Sequence, residues 1–325
     1  MRKTIGYSDQ KCSTPVLLSS FFLHIACANR GQVQKATLLL REAIAFAHLL
    51  ELHKSEHYDG LDVFEAQLQL RIYWLLFITD RGHSTRFDLP ATMKMDPALP
   101  RLEADEDPEV LLPFIDLCTL FNNFGDAIAL AETRTSRTYF DQWQHQLRNA
   151  SNELGLGNEF QRADFLITRQ WMQLLLWKLS LPRVPLDLSP QEGSSSLMFP
   201  QEVAGRVMAY LTSYPQQTIQ AHGLGMEMKL CDMALSLTNV ITCIPVTCQT
   251  YEAFRLTPQN TLAGLVNFLL TFRGGQGSMI RAVQEQIFRA GVFETGPRSI
   301  LDSVEVSEDD TIVQRAHDPT SADVG

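Results

Sequence analysis

The sequence predicts an all-α fold from three observations. Apolar residues recur with a helical period, while the two-residue alternation of half-buried strands does not recur. A helix-start signature stands at one of the clearest onsets of that period, at Asp107-Pro108-Glu109. With 325 residues, 45% hydrophobic and 20% charged, the chain is long and apolar enough for a large buried core.

The amino terminus places Met1, Arg2 and Lys3 before an apolar stretch from Pro15 to Ala28 that ends in Ala26-Cys27-Ala28 and imitates a secretory signal. Asp9, His24, Ser19 and Ser20 weaken the imitation, so the stretch is expected as a buried first helix. Neither it nor the other apolar runs suit a membrane-spanning helix, and no membrane partner is expected. Val33, Leu40, Ile44, Ala47 and Leu50 then trace one stripe of an amphipathic helix.

In "IYWLLFITDRGHSTRFDLP" (Ile72 to Pro90), Tyr73, Trp74, Phe77 and Ile78 form one face and Ile72, Leu75, Leu76 and Thr79 much of the rest. Such a helix must be covered on nearly all sides, which predicts a central position. Arg71, Asp80 and Arg81 then need partners from neighbouring elements, because adjacent residues do not face each other on a helix and buried charge needs a partner.

Asp107 is expected to cap the next helix, with Pro108 at its first position and Glu109 near its positive end, and the helix should run to about Ala131. Further helices are predicted over 162–179, 201–210, 225–237, 262–272 and 278–290. The proline-rich, serine-rich stretch 181–200 reads as a loop or linker between an N-terminal part, 1–180, and a C-terminal helical part, 201–295, which are expected to share one core. The acidic tail, 296–325, carries Glu308-Asp309-Asp310 and is expected to be disordered.

A formal net charge of -10 and a pI near 5.3 argue against a broad phosphate-binding surface, so any contact with DNA is expected to be indirect. The six cysteines, at 12, 27, 118, 231, 243 and 248, include no C-x-x-C pair and read as reduced, mostly packed thiols. His48, His53 and His57 lack the H-E-x-x-H arrangement of a zinc protease and read as solvated, so no metal site is assigned. Gly274-Gly275-Gln276-Gly277-Ser278 has no following Lys and no preceding strand, and reads as a turn with Ser278 as cap. Gly223-Leu224-Gly225 reads as a helix break. No nucleophile or general base with an orienting partner is nominated, and the chain is not expected to be an enzyme.

Three ordered blocks carry a family resemblance: Asn29-Arg30-Gly31, "LLLREAIAFAHLLELH" (Leu38 to His53, with Arg41 and Glu42), and "RIYWLLFITDRGHS" (Arg71 to Ser84), with Pro90 closing the next turn. They resemble the regulatory middle-homology domain of fungal zinc-cluster transcription factors, and are most similar to regulators of maltose and starch-sugar utilisation. The resemblance continues through "PFIDLCTLFNNFGDAI" (Pro113 to Ile128). It departs at Gln69-Leu70-Arg71, which keeps one arginine of the usual pair, and at Asp88-Leu89-Pro90, which replaces an Arg-Pro.

The resemblance implies a multi-helix domain in which Arg41, Glu42, Arg71, Tyr73, Trp74, Phe77, Asp80, Arg81 and Pro90 are structural motif residues. It also implies a nuclear regulator or co-regulator of metabolic or secondary-metabolite genes. The zinc cluster and its metal have no counterpart here, which leaves a co-regulator or the product of a truncated gene model. Expected partners are other transcription factors or the transcription machinery, a homo- or heterodimer, and a small-molecule effector. The alternative function is a receptor module whose ligand pocket is lined by the aromatic face around Trp74.

Overall fold

A computed structural model describes residues 12–87, 89–94, 97–104, 106–131, 136–150, 158–186, 194–243, 257–272 and 277–292. The α-helices are α1 (Thr14–Asn29), α2 (Val33–Leu49), α3 (Val63–Phe87), α4 (Pro108–Ala131), α5 (Arg137–Asn149), α6 (Glu159–Ser180), α7 (Phe199–Ser213), α8 (Gln216–Gln220), α9 (Gly223–Cys243), α10 (Pro258–Leu270) and α11 (Ser278–Arg289). A 3-10 turn, Ser55–Gly60, lies between α2 and α3. The protein is all-α, with no strand among the described residues. No helix among them is long and apolar enough to cross a membrane.

α1 and α2 form an antiparallel hairpin through a turn that closes α1. Gly31, at φ +71°, donates its N–H to Ala28 O at 2.9 Å, and Gln32 donates to Cys27 O at 2.9 Å. This is the paired end bond of a Schellman motif, in which glycine adopts the left-handed conformation without steric penalty. The first helix, expected to be buried, buries one face. Leu17, Phe21 and Cys27 face inward, while Phe22 is 61% exposed and Leu23 54%.

Local chemistry sets the later boundaries. The Asp107 carboxylate accepts the Glu109 N–H at 2.9 Å, and Pro108 opens α4 where its missing N–H costs nothing. Pro113 deprives the Glu109 carbonyl of its helical donor, and the Asn158 N–H reaches that carbonyl at 3.4 Å. The side chain of Asn158 in turn caps α6 by accepting from Gln161 N at 3.1 Å. Gly223 lies at φ +59°, and Asn29 at the end of α1 caps α9 by accepting the Leu224 N–H at 3.2 Å. Gly225 is inside α9 rather than at a break, and α11 is capped by Gly277 rather than Ser278.

The hub is α6, which packs against α4, α5, α7, α8 and α9. α3 is buried along most of its length as expected, with α2 and α4 as its main helical neighbours. The sequence analysis also missed α5 and α8. α5 is short and polar, and buries only Phe140, Gln144 and Leu147. One cluster of buried apolar residues runs from Leu17 in α1 to Ile287 in α11, on both sides of 181–200. The described end of that stretch is packed: the Ser196 carbonyl accepts the Trp177 indole N–H at 3.0 Å, and Ser195 accepts from Arg137 at 3.0 Å. The tail 296–325 and Cys248 lie outside the described residues. Cys27, Cys118 and Cys231 are buried, Cys12 is half-buried and Cys243 is exposed, all as free thiols.

Candidate functional site

The residues missing from the helical cover of α3 are supplied by a strap, the described residues 89–94, 97–104 and 106–107 ahead of α4, whose backbone is fastened by side chains. Asp80 in α3 is 0% exposed, and Arg41 from α2 meets its Oδ1 at 2.6 Å. The other carboxylate oxygen accepts the N–H groups of Thr92 at 2.8 Å and Met93 at 2.9 Å. The same Arg41 donates to the Pro90 carbonyl at 2.9 Å and to Thr92 Oγ1 at 2.8 Å. Both charges therefore bind the strap as well as each other, which answers the desolvation cost of burying a carboxylate.

Arg81 points elsewhere, as adjacent positions on a helix require. Its guanidinium lies 4.9 Å from the Phe77 ring centroid and donates to Met93 O at 3.1 Å. Farther along, the Tyr73 hydroxyl donates to Lys94 O at 2.7 Å and the Trp74 indole N–H to Ala98 O at 2.9 Å. Gln67 accepts from Arg101 N at 2.8 Å. Arg71 makes a two-pronged pair with Glu106, with both contacts at 2.6 Å. The Arg71 hydrogen bond, with that from the Glu103 N–H, holds the Glu106 carboxyl below its ordinary range.

Arg41, Asp80, Arg81 and Pro90 thus come together, and Arg71, Tyr73, Trp74 and Phe77 line the same strap or its support. Glu42 stands apart on α2 and accepts from Ser20 in α1 at 3.0 Å. Asp88 lies outside the described residues. Residues that the sequence analysis did not single out complete the clamp: Ser84, Thr92 and Met93. A buried acid at one helical turn from a serine is a weak signal, and the two backbone N–H donors carry none.

Beside the clamp lies a cleft of about 480 Å³ between α3, α4, α6 and the strap. Arg81, Ser84 and Thr85 form one side, Phe121 and Phe124 another, and Trp171 and Lys178 a third. Trp74 does not line it: that residue is 1% exposed and committed to the strap, which corrects its assignment to a pocket. Lys178 is paired with Asp232 of α9, which also accepts the Trp171 indole N–H at 3.1 Å, so α9 holds this wall from behind.

On the other side of Asp80, His24 and His83 meet edge to face at 5.5 Å between ring centroids. His24 Nδ1 donates to Ala36 O at 2.8 Å. Thr37 gives its proton to Val33 O at 2.9 Å, so His83 Nε2 donates to Thr37 Oγ1, also at 2.9 Å. Burial, then His24 and Arg41, push His83 down to about 4, and burial lowers His24 as well. His53 and His57 do not share a helical face. His57 meets Gln69 at 2.6 Å from the 3-10 turn, and His53 packs edge to face on His48. Among the described residues, no group of three or more His, Cys, Asp or Glu side chains comes together to hold a metal.

Residues 2–149 match the fungal specific transcription factor domain. The chain is 26% identical to the probable sucrose utilization protein of Candida albicans, over 70% of this chain and 47% of that protein. It is 25% identical to a maltose fermentation regulatory protein of Saccharomyces cerevisiae, over 69% of this chain and 48% of the relative. A respiratory transcription factor of the same yeast is also 25% identical, over 66% and 49%. The chain is thus similar, in its first half above all, to fungal transcriptional regulators, and it spans about half the length of the curated relatives it matches. No solved structure matches it.

Proposed function

We propose that this chain is the helical regulatory body of a fungal transcriptional regulator of metabolic genes, with sugar use the pathway class that its relatives suggest. It acts in the nucleus by protein association. The observation that carries this reading is the clamp. The blocks that resemble the family, around Arg41 and around Asp80, converge from two helices on one strap, so the family likeness falls on a tertiary device rather than on helical character alone.

The acidic balance of the chain fits contact with proteins better than contact with phosphates. The mechanism is association without covalent chemistry, in keeping with relatives named as a maltose fermentation regulatory protein and a respiratory transcription factor. The direct test fuses the chain to a heterologous DNA-binding domain in a fungal reporter strain. A change in reporter transcription that is lost with Asp80→Ala, at equal protein level, is the expected result. A reporter that responds equally to the unfused DNA-binding domain overturns the reading. The purified chain alone is expected to show no sequence-specific DNA binding at physiological salt, and tight sequence-dependent binding would overturn the indirect role.

A further inference from the structure

We propose that the α1–α2 hairpin is a self-association surface that joins two copies of this chain about a two-fold axis. Six of the fourteen exposed large apolar side chains among the described residues lie on these two helices. α1 carries no Asp, Glu, Lys or Arg from Thr14 to Asn29. It buries Leu17, Phe21, His24 and Cys27 on one side. At about 3.6 residues per turn, Leu18, Phe22, Ile25 and Ala26 fall on the opposite side. α2 likewise turns Leu38 and Leu49, each 70% exposed, away from its buried face, and their spacing of about three turns aligns them in one stripe.

The two stripes make one face. Ser20 donates to Glu42 at 3.0 Å and Cys27 packs with Ala36 and Leu39, which marks the seam between the helices. Leu23 stands one turn from Ser20 and from Cys27, and Leu38 one turn from Glu42, so both exposed leucines flank that seam on its solvent side. α2 is the main neighbour of α1, which leaves the outer face uncovered. A hairpin of this length is about 24 Å long and about 20 Å wide, or roughly 500 Å² a side, enough for the roughly 1,000 Å² total of a specific interface. Apolar patches of that size on a soluble protein mark contact surfaces.

The charges around the face select a second copy as its occupant. Arg30 and Lys35 are exposed at the turn end of the hairpin, and Glu56 and Asp59 are exposed beyond the other end, in the 3-10 turn that follows α2. None of the four makes a salt bridge with another described residue, whereas Glu51 and Lys54 nearby pair with each other. A two-fold axis through the middle of the face, near Phe22, lays each basic end on the partner's acidic end. A partner of one charge sign would match one end and oppose the other. The apolar middle lets two copies meet without burying charge, although each stands at -10.

The test is sedimentation equilibrium of the purified full chain over a concentration series, and a monomer–dimer equilibrium that stops at two copies is expected. Phe22→Glu and, independently, Leu38→Glu should each weaken the dimer at least about a hundredfold, because a two-fold interface counts every substitution twice. Phe288→Glu, at a position equally exposed on α11, should leave it unchanged. Lys35→Glu and Glu56→Lys should each weaken it about tenfold, and the two together should return it to within about threefold of the parent. A retained helical circular-dichroism spectrum identifies the variants that remain folded. A chain that stays monomeric at every concentration would overturn the proposal and leave the face to a different protein. Association that continues past two copies, a dimer that survives both Phe22→Glu and Leu38→Glu, or a charge exchange that fails to restore the dimer would each overturn it as well.

Discussion

α3 and α6 are both tryptophan-bearing helices buried along most of their length, yet they are buried by different means. α6 is surrounded by helices: Phe165, Ile167, Trp171, Leu174 and Trp177 meet apolar side chains from several neighbours. α3 is covered on one side by a strap with no helix or strand among its described residues, whose backbone N–H and C=O groups must find partners. Asp80, Arg41, Tyr73, Trp74, Gln67 and Arg81 provide them. A helix covered by helices needs apolar shape, whereas one covered by extended chain needs polar side chains in an apolar setting. That is why Tyr73, Trp74 and Phe77 sit beside an ion pair.

The sharpest way to break this distinction is to remove a partner from the clamp. Arg41→Met should cost about 3–5 kcal/mol in urea unfolding, because it strands a buried carboxylate. Trp74→Ala should cost a similar 3–5 kcal/mol through transfer and cavity terms, and Trp74→Phe only about 1 kcal/mol through the lost bond to Ala98. A loss below about 1 kcal/mol for Trp74→Ala would contradict its burial.

A pH series sharpens the same side of the molecule. His83, facing His24, Arg41 and Asp80, holds its folded value near 4 against an unfolded 6.5, so the unfolded chain binds the extra proton between those values. Its contribution is full at neutral pH and is lost as pH falls from 6.5 towards 4. Discounted for partial exposure, the change is roughly 2 kcal/mol. His83→Gln should flatten the stability profile in that window, and an unchanged profile would refute the assignment.

On the α6 side the expected effects are smaller. Asp164 pairs with Lys229 of α9 at 2.7 Å. Burial raises its carboxyl, but Lys229, His222 and the hydrogen bonds from Lys229 and Thr168 outweigh that and hold it below its ordinary value. Lys229→Met should cost about 1–2 kcal/mol above the unfolded carboxyl range, less than the clamp because the pair is partly exposed. Least of all, Gln173→Met should be neutral or stabilising by about 1 kcal/mol: its carboxamide is 0% exposed and has no hydrogen-bond partner among the described residues. A large loss at Gln173 would show that α6 also depends on polar contacts.

Much of the secondary structure was legible because its causes are local. The Asp107-Pro108-Glu109 start and the apolar period of α2 each act within a few residues. The apolar run of α3 likewise declared its own burial. α5 and α8 were not legible, since one is polar with few inward residues and the other has only five residues. Of the clamp, the sequence pattern offered Arg41, Asp80 and Pro90 as motif members but gave no pairing between them, because 39 residues separate Arg41 from Asp80.

The sequence by itself determined that this protein is helical, where most helices begin and end, and that the segment around Trp74 is buried, because caps, turns and periodicity are short-range properties of the chain. Tertiary structure decided that α6 rather than α3 is the hub, that Asp80 takes Arg41 and not its neighbour Arg81, and that a cleft opens beside Ser84. Those outcomes depend on which distant segments meet, and burial and pairing energies are set only once they do.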